Sequence, residues 1–369
     1  MTQGLPLVSV VTPVHNEEQH ISECIESVLA QTYSNWEYTI VDNCSADRTL
    51  EIARHYASKD SRIRVHANTE FLKVIPNHNA ALRQISTESK YCKVVFGDDW
   101  ISPNCLTEMV ALAEANPTVG IVGSYALEGT HVAWTGLPYP STVVSGREIC
   151  RRHLVDKLYL FGSANTVLYR SDLVRGRDHF YNEKNIHADT EVCFALLKTC
   201  DFGFIHQILS FSRVRPCSLA TVSGELATSF PGMLQLLSVH APNYLTEDER
   251  KAKLEELLHD YYRFLGKCVL LGRNTSFWKY HKRALTEAGI GLSSFYLAKG
   301  AIAALGSAAL HPKTFIQNHF RTRFKQEIHG HRSSNWRLSC SSAMPENADS
   351  CSTDVQLVGA TKQTDLETV

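Results

Sequence analysis

Two adjacent carboxylates, Asp98 and Asp99, follow the apolar run Val94-Val95-Phe96 and a glycine, Gly97. A short apolar run closed by glycine reads as a buried β-strand and its exit. Carboxylates placed there stand at the carboxyl edge of a sheet, where open α/β folds bind ligands. Side by side they repel, and a cation relieves the repulsion. Hard oxygen donors suit Mg²⁺ or Mn²⁺, ions that also take substrate phosphates. Asp98 and Asp99 therefore read as a metal site for a diphosphate-bearing substrate.

Two further polar clusters close strand-like runs. Pro13-Val14-His15-Asn16-Glu17 follows the run at 7–12, and Asp42-Asn43-Cys44-Ser45-Ala46-Asp47 follows the run at 37–41. A ring at His15 is suited to stack on a base, with Asn16 or Glu17 hydrogen-bonding beside it. A carboxylate at Asp42 can accept from a base N–H. Three such clusters at successive strand ends define one ligand-binding edge. Neither GxGxxG nor GxxxxGK[ST] follows the first strand. Dinucleotide oxidoreductase and P-loop readings thereby lose their main support.

The elements that must carry these clusters alternate. Strands are expected at 7–12, 37–41, 62–67, 91–96 and 120–125. Helices are expected at 17–31, 46–57 and 77–85. The first helix has apolar residues at helical spacing, with Asn16 as its cap and Glu17-Glu18 at its positive end. Ser102 and Pro103 are expected to open another helix. This βαβαβαβ order predicts a mostly parallel central sheet with helices on both faces. Beyond it come a loop or hairpin at 127–140, helices at 147–154 and 189–198, and a late strand or strand pair at 202–211. From about 216 the pattern turns helical, with helices expected at 248–271, 276–288 and 292–310. The last is read by default as buried, with an interfacial or membrane-spanning helix as alternatives. Residues 330–369 are polar and read as a disordered tail. The expected division is 1–215, 216–329 and 330–369.

A formal net charge of -1 argues against a dedicated nucleic-acid binder. The 11 cysteines form no CxxC pair, and free thiols in a reducing cytoplasm are expected. The first residues lack a basic segment followed by an apolar core, so no secretory signal is expected.

The stretches Val8 to Glu18, Glu26 to Tyr33, and Ile40-Val41-Asp42-Asn43-Cys44-Ser45-Ala46-Asp47-Arg48-Thr49 resemble the start of a family 2 glycosyltransferase with the GT-A fold. Asn68, Asn77 and Asn79 fit its next segment, and Gly97-Asp98-Asp99 matches its DXD-type motif. The resemblance covers about 7–215. It implies that the N-terminal half binds a nucleotide-diphospho-sugar: Asp42 on the base, Asp98 on the ribose or a metal-bound water, and Asp99 on the divalent cation. It also implies a catalytic base in His187-Ala188-Asp189-Thr190-Glu191-Val192, with Asp189 as the best match and Glu191 as the fallback. The chain departs from the common pattern at His15, Cys44, Ala195 and Arg215, where many members carry Tyr, Gly, Arg and His. The segment 160–166 resembles a loop lining the acceptor side; an ordinary Gly-Ser turn is the alternative.

The implied reaction is an inverting, metal-assisted transfer from a nucleotide-diphospho-sugar to a hydroxyl of a saccharide or lipid-linked saccharide. A non-catalytic binding or scaffolding module of the same fold is the rival reading. Keeping Asp42, Asp98, Asp99 and Asp189 together argues against it. The expected place is the cytoplasm, with peripheral contact at the inner membrane face left open.

Overall fold

The computed structural model describes residues 4–161, 163–215 and 218–310. Four strands alternate with three helices: β1 (Val8–Val14), α1 (Ile21–Leu29), β2 (Trp36–Asp42), α2 (Thr49–Lys59), β3 (Ile63–Ala67), α3 (Val74–Leu82) and β4 (Tyr91–Val94). They form a parallel half-sheet in the order β3-β2-β1-β4. Every residue of β1 is buried, because helices cover both faces. Val8 and Val10 pack with Ile21, Cys24, Ile25 and Val28 of α1 on one side. Val11 packs with Ala81 and Leu82 of α3 on the other. This is the period-two alternation of a doubly covered strand.

The second half is β5 (Trp100–Ile101), α4 (Cys105–Ala115), β6 (Val119–Glu128), β7 (His131–Ala133), β8 (Val143–Val144), α5 (Gly146–Asp156), β9 (Val167–Arg170), α6 (Ser171–Arg175), α7 (Ala188–Leu196) and β10 (Asp201–Ser212). Here the sheet is mixed. β9 enters between β4 and β6 and runs antiparallel to both. β6 and β10 are parallel, and β5 closes the edge antiparallel to β10. The expected parallel pairing thus holds for the first four strands and for β6 with β10, while β5, β7, β8 and β9 run antiparallel to their neighbours. The four-residue β9 carries no period long enough to announce itself. The hairpin expected at 127–140 is present as β6–β7.

Two helix starts differ from expectation. α1 begins at Ile21, and Asn16 does not cap it. Asn16 instead holds a left-handed backbone, φ 53°, and its Oδ1 accepts from Ala46 N at 2.8 Å. α4 begins at Cys105, because the Ser102 hydroxyl bonds Asn104 Oδ1 at 2.6 Å. All eight described cysteines are unpaired, as expected.

Five helices follow: α8 (Leu219–Leu226), α9 (Ser229–Gln235), α10 (Glu247–Leu270), α11 (Thr275–Glu287) and α12 (Ser294–Leu310). Thr246 and Glu249 form a reciprocal capping box at the start of α10. No break between compact units falls at the expected boundary near 215. The tail expected at 330–369 lies outside the described residues. α12 is not the buried helix expected by default. It lies on α10 through small residues, while Phe295, Ile302 and Leu305 on its other side are exposed. No described helix is long and apolar enough to cross a membrane.

Gly266 of α10 and Gly300 of α12 set this crossing: a Cβ on Gly266 would lie 2.2 Å from the Gly300 carbonyl carbon. Backbone cannot yield as a flexible side chain can. Gly266→Val is expected to cost about 1–3 kcal/mol through overpacking, read as a lower denaturant midpoint.

Candidate active site

The carboxyl ends of β2, β1 and β4 lie side by side, so the three polar clusters share one edge. Asp42, the last residue of β2, is buried; its Oδ2 accepts from Ser45 N at 3.1 Å. Its Oδ1 is buried without a hydrogen-bond partner. A buried acceptor left free is costly, and an incoming N–H would satisfy it. His15 is exposed beside it, with Nδ1 2.8 Å from Asn43 O and its ring edge-on to the exposed Phe71. These two rings flank Asp42's loop. Pro13 lies inside β1, paired with Val41, and serves the strand.

Asn77 belongs to α3. It is buried, and its Oδ1 accepts from Asn68 Nδ2 at 3.0 Å. Asn68 also donates to Asn43 Oδ1 at 3.0 Å, and Asn43 bonds both the N–H and the carbonyl of Leu72. This amide network braces the loops after β2 and β3.

Asp98 and Asp99 are adjacent yet sit in different surroundings. Asp99 is 3% exposed. Its Oδ2 accepts from Asn165 Nδ2 at 3.0 Å and Ser212 Oγ at 2.9 Å, and its Oδ1 from Arg213 N at 2.9 Å. Burial, and secondarily the charge of Asp98, push its pKa up to about 7 against those donors. Asn165 is itself fixed: its carbonyl accepts from the buried Lys93 ammonium and from Ser210 Oγ at 2.7 Å. Asp98 reaches the open side and pairs with Arg215 Nε at 2.9 Å. Arg215 also forks onto Glu17, with Nη1 at 2.7 Å from Oε2. Burial raises the Glu17 pKa, and Arg215 opposes the rise. Gly97 permits this turn, since a Cβ there would lie 2.7 Å from Val14 Cγ2. Arg213 covers the Trp100 ring at 4.6 Å, and Trp100 stacks on Phe211. Arg213, Arg215, His20 and Trp100 line a cavity of about 410 Å³.

Asp189 opens α7 on the sheet face covered by α3. Burial lifts its pKa to about 7, opposed by the Thr190 N–H at 2.7 Å. Glu191 differs. Burial alone would raise its pKa, but His240, Asn185 and Asn182 outweigh that and hold it low. Asn185 Nδ2 donates to it at 2.7 Å and Asn182 Nδ2 at 3.0 Å. Glu191 is thus engaged in tying the preceding loop to α7. His187, just before α7, bonds Thr228 Oγ1 at 2.9 Å, linking the helix to the C-terminal region.

Among the described residues no group of three or more His, Cys, Asp or Glu could hold a metal ion. A site completed by ligand phosphates and water needs fewer protein oxygens, and Asp98 can supply one. The residues therefore fit a divalent ion that arrives with a diphosphate, not a closed protein cage.

Asn165, Ser212 and Lys93 are site-building residues that the local sequence did not announce. The segment 160–166 proves to be partly core: Leu160 and Phe161 are buried, and Asn165 grips Asp99.

The fold and edge define a GT-A architecture. Solved structures agree. Staphylococcus aureus TarS with UDP-GlcNAc superposes with a TM-score of 0.57 at 19% identity, covering 85% of this chain and 89% of that one. A Pyrobaculum calidifontis mannosyltransferase with GDP-Man and Mn²⁺ gives 0.52 at 16%, covering 86% and 84%. Residues 9–175 match the Glycosyl transferase family 2 model. Among curated relatives, an uncharacterized Haemophilus influenzae glycosyltransferase is 26% identical over 51% of this chain and 58% of its own length. Glycosyltransferase GlyG of Streptococcus pneumoniae is 24% identical over 60% and 75%. A Sinorhizobium fredii protein is 34% identical over 32% of this chain, which spans 13% of its length.

Asn165→Ala removes one donor from a buried carboxylate. It is expected to cost about 1–3 kcal/mol, measured by urea unfolding, while Asn182→Ala at the exposed loop costs less.

Proposed function

We propose that the chain is an inverting glycosyltransferase that moves a sugar from a nucleotide-diphospho-sugar, a UDP-sugar first among them, to a hydroxyl of a glycan or lipid-linked saccharide. The observation that carries this reading is the single edge at which Asp42, with its partnerless buried Oδ1, lies two strands from Asp98. Asp42 accepts from the base, and His15 with Phe71 gives the base an apolar face. Glu17, Arg215 and Asp98 then stand where the ribose and diphosphate follow. We assign Asp98, rather than the more buried Asp99 that already accepts three hydrogen bonds, as the carboxylate that meets a divalent cation; Asp99 anchors the turn. When bound, Mg²⁺ or Mn²⁺ offsets the charge growing on the departing diphosphate.

Asp189 takes the acceptor's proton as the hydroxyl attacks the anomeric carbon from the side opposite the diphosphate. A carboxylate with a pKa near 7 suits that task, because about half of it is ionised at neutral pH and it is basic enough to receive a proton. A single displacement inverts the anomeric centre and needs no nucleophilic side chain. The exposed Phe295, Ile302 and Leu305, with Lys299 on the same helix, support peripheral contact with a membrane carrying the acceptor.

A thermal-shift panel of UDP-, GDP-, dTDP- and CMP-sugars, with and without Mn²⁺, tests the donor. One nucleotide class should raise the midpoint, and Asp42→Ala should weaken that rise. No shift with any donor, with or without Mn²⁺, would sink the reading. Asp189→Asn should lower kcat by roughly 10²–10⁴-fold and leave donor binding intact. Loss of binding together with turnover would deny Asp189 the role of base.

Only the ionised carboxylate accepts a proton, so kcat/KM should fall as pH drops below about 7. Asp99 has a pKa near the same value, so melting midpoints across the same pH range separate loss of fold from loss of base.

A further inference from the structure

We infer that Arg215 and a divalent cation compete for the Asp98 carboxylate, so that the cation binds well only together with the donor's diphosphate. The inference rests on the donor reading above. Arg215 Nε lies 2.9 Å from Asp98 Oδ2, while its two terminal nitrogens fork onto Glu17. A fixed positive charge therefore already occupies the one carboxylate of the pair that reaches the open side.

Asp99 is the less open of the two carboxylates, at 3% exposure. Its oxygens take three donors from Asn165, Ser212 and Arg213. A cation held by Asp98 would lie beside the guanidinium already paired with that carboxylate. Like charges that close oppose each other, and with no anion present the ion must displace Arg215 or tolerate it.

A nucleoside diphosphate changes this balance. Its phosphates compensate both cations, and a guanidinium fork matches phosphate oxygens well. Arg215 is 35% exposed along its side chain and lines the cavity beside Asp98, so phosphate can reach it. Glu17 keeps its hold on the terminal nitrogens when Nε leaves Asp98. No buried carboxylate is then left uncompensated.

Mn²⁺ titrations of the full chain, followed by the EPR signal of the free ion, test the competition. Wild type without nucleotide should bind Mn²⁺ at least about tenfold more weakly than with saturating UDP or GDP, whichever stabilises the protein. Arg215→Gln should bind Mn²⁺ about tenfold more tightly than wild type when no nucleotide is present. Arg215→Lys keeps the charge and should stay near wild type. Adding Asp98→Asn to Arg215→Gln should remove the gain. Arg215→Met, which retains an apolar stem, serves as a second neutral variant if Arg215→Gln does not fold, with far-UV circular dichroism as the check.

Equal nucleotide-free Mn²⁺ affinity in wild type and a folded neutral variant overturns the inference, as does absence of binding in both. Failure of every nucleotide to bind wild type would instead count against the donor reading. The nucleotide-free comparison uses no donor, so the two failures are distinguishable.

Discussion

The buried carboxylate of Asp99 joins three parts of the chain that are far apart in sequence. Asn165 precedes β9, Ser212 ends β10, and Arg213 begins the strap beyond it. All three donate to the turn that follows β4. In the strand ladder β9 alone joins the mixed half of the sheet to the parallel half, and this clamp adds a tie at the carboxyl edge. Lys93 strengthens the arrangement from below. Its fully buried ammonium donates to the Asn165 carbonyl, and burial lowers its pKa. A charge-bearing network in a dry interior is favourable only when its members are satisfied. Asn165 Oδ1 is the one acceptor here without a partner.

The clamp also explains why two neighbouring aspartates divide their tasks. Backbone geometry sends consecutive side chains in different directions at the end of a strand. Asp99 turns inward to the donors. Asp98 turns outward to Arg215 and solvent. One carboxylate holds the turn, and the other is presented by it. The same division occurs on α7, where Asp189 is left with little beyond the Thr190 N–H, and Glu191 is taken by Asn182 and Asn185.

The C-terminal helices extend this positioning. Thr228 bonds His187 at the entry to α7, and the Tyr244 hydroxyl bonds the Phe194 carbonyl within it. Gly232 is necessary at the contact, since a Cβ there would lie 2.6 Å from the His187 ring. The region beyond 215 therefore helps to set the helix that carries Asp189. Its exposed apolar face on α12 remains turned away from that packing.

Periodicity and strand-end chemistry made much of the molecule legible. The first four strands, their intervening helices, and the clusters at His15, Asp42 and Asp98 are local patterns, because a buried strand and its polar exit lie within a dozen residues. The long helix α10 and the late strand β10 were readable for the same reason. What the tertiary structure alone decided was partnership. Asn16 bonds across to Ala46 instead of capping α1, Asn77 accepts from Asn68, and β9 inserts antiparallel between β4 and β6. Asn165, Lys93 and Arg215 acquire meaning only through residues 66 to 198 positions away. Residue types and spacing fix which groups can do chemistry. Which of them is buried, paired or left free depends on contacts that no local period encodes.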